Sequence, residues 1–140
     1  MYKLSMAYIE WTDSLSVGVE LFNRQHRKLL DMVNEMYDAL TSGKTNDVME
    51  EILERLIDYT VEHFQSEEGY FKKYDYPLNK QHKQEHDSLV KDVLLLKEKF
   101  VNGDVTISYE TMSFLQDWLQ KHILESDMDY KAFFNGKGVY

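Results

Sequence analysis

The chain has 140 residues, 43% of them hydrophobic and 29% charged, which is enough for one soluble globular domain around one core. One Pro and six Gly leave little room for a loop-rich or all-β fold, and the lack of any Cys excludes disulfide scaffolds, thiolate metal sites and Cys nucleophiles. With 16 basic against 25 acidic residues the net charge is −9, which disfavours nucleic acid and anionic membrane as partners, since both demand a basic face.

Residues 1–18 read as an extended arm, with Trp11 and Val17 available to fold it back onto the body. Met1 to Trp11 carries Lys3 and Glu10 and no sustained apolar run, so it is not a secretory signal. No stretch approaches the length of a membrane span. The cytoplasm is the default compartment.

Val19 to Leu40 is a predicted amphipathic helix. Val19, Phe22, His26, Leu29, Leu30, Val33, Met36, Tyr37 and Leu40 recur at helical spacing, and Ser42-Gly43 ends the pattern. Asp47-Val48-Met49-Glu50 has capping-box form and opens a second helix. Its stripe is Ile52, Leu56, Tyr59, His63, Glu67, Tyr70 and Tyr74, and Pro77 must end or interrupt it. A third helix starts near Leu78 with His82, His86, Leu89, Val93, Leu96 and Phe100 on one face, and stops at Asn102-Gly103. Ser108 is the expected N-cap of a fourth, whose stripe is Met112, Leu115, Leu119 and His122. Asp129 to Phe134 adds a short helical turn, and residues 135–140 read as a frayed tail. Short connections between long helices favour antiparallel neighbours. The expectation is a single all-α domain over 1–140, an up-down-up-down four-helix bundle with an extended N-terminal arm.

The chain has five histidines, and each falls on an apolar stripe where a bundle core should carry Leu or Ile. A single such His is most often a satisfied core residue. If the seam takes roughly three positions in seven, all five landing there by chance has odds of about one or two in a hundred. His63 and Glu67 are four apart, as are His82 and His86, so each pair sits on one helix face and can grip one ion. Buried imidazoles and carboxylates need partners, and a shared metal site supplies them together. Five imidazoles are many for one ion, while two carboxylates can bridge two. Imidazole with carboxylate suits Fe, Zn, Cu or Ni alike.

At these residues a resemblance enters. Gln25-His26, His63-Phe64-Gln65-Ser66-Glu67-Glu68, Tyr76-Pro77, His82-Lys83-Gln84-Glu85-His86 and His122-Ile123-Leu124-Glu125-Ser126-Asp127 resemble the hemerythrins over nearly the whole chain. Trp11 and Val17-Gly18-Val19 look like the start of bacterial members. The resemblance implies a non-haem centre of two Fe ions, joined by an oxo or hydroxo bridge, that takes O2 as its ligand. Carried over by position, His82, His86 and His122 bind one iron, and His26 and His63 bind the other, which keeps an open place for O2. Glu67 and Asp127 bridge the two. Glu68 points about a hundred degrees away and is read as solvated or as a support to a ligand. Asn23 departs from the family, which commonly has Asp there. Leu29, Leu30 and Leu119, each one turn from a ligand, are candidates for the walls of the O2 pocket.

The implied function is reversible O2 binding for carriage, storage or delivery, with no catalytic residue assigned. Small anions are possible competitors at the open iron, and no protein partner is implied. The alternatives are an O2 or redox sensor domain, or a di-iron oxidoreductase, peroxidase or NO-handling enzyme. A lone chain without a linker or output domain argues against the sensor. Against the enzyme stands the lack of any His left over for acid–base work.

Overall fold

The computed structural model describes residues 8–140. Four long helices carry the predicted patterns: α1 Glu20–Thr41, α2 Asn46–Lys73, α3 Asn79–Val101 and α4 Tyr109–Lys121. They form an antiparallel four-helix bundle. α2 packs against both α1 and α3, and α4 returns against α1. A π-helical turn at His122–Ser126, a 3-10 turn at Asp127–Tyr130 and a short α5 at Lys131–Gly136 complete the chain.

The stops are local chemistry. Gly43 and Gly103 take positive φ, at 67° and 79°, just past α1 and α3. At each, the glycine N–H and the next N–H bond back to the last-turn carbonyls: Lys44 to Ala39 and Asp104 to Lys99. α2 ends the same way without a glycine. Asp75 holds φ at 54°, and the Tyr76 N–H reaches the Phe71 carbonyl. Asp tolerates this region better than most side chains. The helix therefore closes before Pro77 is reached. Ser108 caps α4 as expected, in a reciprocal box with Thr111. The box expected at Asp47 does not form: α2 starts two residues earlier, after Thr45, and no side chain caps it.

Two patterns shift. On α2 the buried stripe takes in Thr60, Phe64 and Phe71, while Tyr59, Tyr70 and Tyr74 lie half-buried. A helix wedged between two neighbours buries a wider face than one periodic row describes. At the C-terminus the expected tail begins as helix, since α5 runs through Gly136. The Asn135 amide there donates to the Gly18 and Val139 carbonyls and ties the end of the chain to the arm.

The first seven residues of the arm lie outside the described residues. From Ile9 onward the arm packs against the bundle, with Ile9, Leu15, Val17 and Val19 buried. The Ile9 N–H and carbonyl both bond the Asn34 amide, at 2.8 Å each. The Arg27 guanidinium lies over the Trp11 ring. Asn23 holds the rest: its oxygen accepts from the Val17 N–H at 2.8 Å, and its Nδ2 donates to Ser16 at 2.9 Å. Asn23→Ala should lower unfolding free energy by about 1–3 kcal/mol by stranding the Val17 N–H. The check is the urea midpoint at unchanged slope. An unmoved midpoint would show that this anchor carries no stability.

Candidate metal centre

α1, α2 and α3 each turn donors inward at helical spacing. His26 comes from α1, His63 and Glu67 from successive turns of α2, and His82 and His86 from successive turns of α3. The last two donors need a different device. At about 100° per residue, Asp127 of a regular helix would face about 140° away from His122. The π turn removes that offset. The Asp127 N–H bonds the His122 carbonyl five residues back, and both side chains face the core.

The result is two overlapping groups. Glu67, His82, His86, His122 and Asp127 form one, and His26, His63, Glu67 and Asp127 the other, with the donor atoms of each within 4.8 Å of one another. All five imidazoles and both carboxylates are buried. His82 and His122 Nε2 stand 2.8 and 3.0 Å from Asp127 Oδ1, and His26 Nε2 stands 2.9 Å from Oδ2. His86 and His63 Nε2 lie 3.2 and 3.4 Å from Glu67 Oε1. His26 and His63 meet Nε2 to Nε2 at 3.0 Å.

Several of these short approaches are not hydrogen bonds. Glu67 Oε1, His86 Nε2, His122 Nε2 and Asp127 Oδ2 are buried without a bonded partner among the described atoms. Orphaned buried polar atoms are costly and call for an explanation. Atoms that share an ion at about 2.1 Å and at right angles lie ~3 Å from each other, which is the spacing seen here. The donor set fits a cation.

The charges fit one too. Burial would lower His26 and His122, but the carboxylates beside them, Asp127 and Glu67 for both and Glu85 for His122, outweigh it and lift them to about 9 and about 10. Burial would raise Glu67 and Asp127, yet the surrounding imidazoles hold both below the usual carboxylate range. Protons on two imidazoles thus balance two carboxylates, where a cation would otherwise do so. Burial pushes His63 down to about 4, so its ring is neutral and ready to ligate.

A second layer fixes the rings. Nδ1 of His63 donates to Gln25 Oε1 at 2.6 Å, of His86 to Glu68 Oε2 at 2.8 Å and of His122 to Glu85 Oε1 at 2.9 Å. Each bond turns Nε2 toward the centre. Gln25 is itself held by Ser66, and Glu85 by Ser126. The His122 bond pulls Glu85 down to about 2. The Phe64 ring stacks on His86 at 3.7 Å.

The sequence model of the family described as the hemerythrin HHE cation binding domain matches residues 17–134. The chain belongs to the hemerythrin family. It is 31% identical over 125 residues to a bacteriohemerythrin of Pseudomonas aeruginosa, covering 89% of this chain and 80% of the relative. It is 36% identical over 126 residues to a bacteriohemerythrin of Methylococcus capsulatus, covering 89% and 95%. A crystal structure of wild-type hemerythrin superposes with a TM-score of 0.85 at 35% identity, covering 90% of this chain and 97% of that one.

Among the residues of this hemerythrin chain singled out from sequence, Glu68 supports a ring, and Asn23 touches the arm rather than the donors. Leu29, Leu30 and Leu119 are fully buried core residues. Sequence reasoning missed Gln25, Glu85 and Tyr130. Tyr130 is wholly buried and its hydroxyl donates to Glu67 Oε2 at 2.5 Å. Burial, and then the charges of Glu67 and Asp127, raise it well above the ordinary tyrosine value, so it stays a donor. The available signal was register. Tyr130 lies three residues after Asp127, Glu85 precedes His86, and Gln25 precedes His26.

Proposed function

We propose that this chain binds O2 reversibly at two iron ions and serves to carry, store or deliver it. The observation that carries this reading is the pair of donor groups sharing Glu67 and Asp127. His82, His86 and His122 would hold one ion, His26 and His63 the other, and the shared carboxylates both. The smaller group has fewer donors, so O2 would be taken on that side, where small anions would compete with it. When bound, a reduced iron pair would supply the electrons with which O2 is held.

The protein's own part is to orient and to keep water out. Gln25, Glu68 and Glu85 fix three rings through their Nδ1 hydrogens. Tyr130 fixes one oxygen of Glu67 and leaves Oε1 to the centre. Leu29, Leu30 and Leu119 are read as the apolar wall of the O2 pocket. All five histidines are drawn into the cluster, so none remains as a free acid or base, which favours binding over catalysis. Among the described residues no helix is long and apolar enough to cross a membrane. A single domain over 1–140 and a cytoplasmic placement are part of this reading.

Elemental analysis and a visible spectrum test this. About two irons per chain are expected. Absorption should develop when the reduced protein meets O2, and it should fade when O2 is removed. About one metal per chain at full O2 binding, or a colourless protein after iron loading and exposure to air, would overturn it.

A further inference from the structure

The seven donors are between 0% and 5% exposed, so any ion that reaches them must pass through the protein surface. Among the described residues, three surface cavities each touch one donor. A broad, mostly apolar one of about 280 Å³, walled by Leu89, Phe114 and Trp118 with Glu85, Asp117, Glu125 and Lys121 around them, touches His122. One of about 240 Å³, beside Phe64, Glu68, Lys83 and Asp87, touches His86. The third, of about 70 Å³, is lined by Tyr76, Gln81, His82, Glu85, Ser126 and Asp129.

Only this third cavity combines carboxylates with a lining free of Lys and Arg. It has room for more than one water molecule. It also holds an unexplained donor. Tyr76 is 5% exposed, yet its hydroxyl has no hydrogen-bond partner among the described atoms. Glu85 spends Oε1 on both His122 and Ser126, leaving Oε2 free to accept. Asp129 is exposed at the rim, and His82 is the buried end.

We propose that this cavity is the port through which a divalent cation reaches the buried donors, with Asp129 at the mouth, Glu85 and the Tyr76 hydroxyl in the wall, and His82 as the first imidazole met. The proposal rests on reading the seven residues as metal ligands. A cation shedding its water needs replacement oxygens along the way, and this wall offers carboxylate, phenol and hydroxyl oxygens in succession. A cleft of one charge sign also raises the local cation concentration. At the other two cavities a lysine stands among the carboxylates, and neither is lined by an unpartnered buried oxygen among the described residues.

The test is the rate of Co2+ uptake by the full chain after chelation of its metal, followed by visible absorption, together with the rate of release into excess chelator. Asp129→Lys should slow uptake about tenfold. It should slow release as well, because a raised barrier acts in both directions, and final occupancy should match wild type. Tyr76→Phe should slow both rates several-fold. Glu125→Lys makes the same charge change at the exposed rim of the apolar cavity and should leave both rates within about twofold of wild type. Should Asp129→Lys not fold, Asp129→Asn serves, with the same direction and a smaller effect.

Unchanged uptake in the Asp129 variants overturns the port. So does equal slowing in Glu125→Lys, which would mark a long-range charge effect. So does slower uptake with faster release, which would mark weaker binding at the centre itself. A wild-type chain that takes up no cobalt overturns the metal reading and the port together. Normal wild-type uptake with unaffected variants overturns the port alone.

Discussion

His86→Ala should cost the protein its metal and most of its stability together. The side chain is 1% exposed, its ring stacks on Phe64, its Nδ1 is fixed by Glu68, and its Nε2 faces Glu67. Removing it takes away one proposed ligand and leaves a hole in a buried seam. It also leaves Glu67 Oε1 without the imidazole nitrogen that faces it at 3.2 Å. A metal present at a thousand times its Kd contributes about 4 kcal/mol to folding, and that contribution goes with the ligand. Metal content should fall below about one ion per chain, and the melting temperature should drop by about 10 °C or more, about 3–4 °C being the shift per kcal/mol for a domain near this size. The comparison that separates metal loss from packing loss uses metal-free samples. Without metal, wild type and variant should differ only by the smaller packing term. A variant that keeps two irons, or a wild type that melts at one temperature with and without metal, defeats the coupling.

The bundle was legible because its helices announce themselves at both ends and along one face. Gly43 and Gly103 sit where αL stops are needed, Ser108 caps where expected, and five histidines on apolar rows need an explanation that Leu would not. Asp127 was not legible from period alone. A regular helix turns it away from His122, and only the π turn brings it back; sequence spacing does not announce a π turn. It entered through the resemblance instead. The supporting residues were hidden for a related reason. Gln25 and Glu85 gave no sign of their role, and Glu68 stayed open between solvent and support, since a side chain on the shoulder of a helix is polar whether it meets water or the back of a buried ring. Tyr130 was masked by number, being one of ten tyrosines on a chain where most are packing. The end of α2 was assigned to Pro77, whereas Asp75 in the left-handed region closes the helix first.

Leu119→Ala should leave both irons bound and shorten the life of the O2-loaded protein. Leu119 is 1% exposed and lies one turn before His122 on the inward face of α4. Truncation removes apolar volume there and costs about 2–5 kcal/mol, depending on how far the site collapses. A cavity beside a polar centre differs from one in a hydrocarbon core, because water entering it finds hydrogen-bond partners and stays. Water and small anions then compete with O2, and loss of the O2-dependent absorption should accelerate several-fold. Azide or a similar anion should bind faster as well. The rate is to be measured in wild type and variant at a temperature where both are folded, with iron counted in each. Leu119→Ile keeps the volume and should restore the wild-type rate within about twofold, since volume-conserving swaps disturb packing least. If Leu119→Ala holds two irons and decays at the wild-type rate, the side chain packs the core and does nothing more. The wall of the O2 pocket must then be sought at Leu29 and Leu30, one turn from His26.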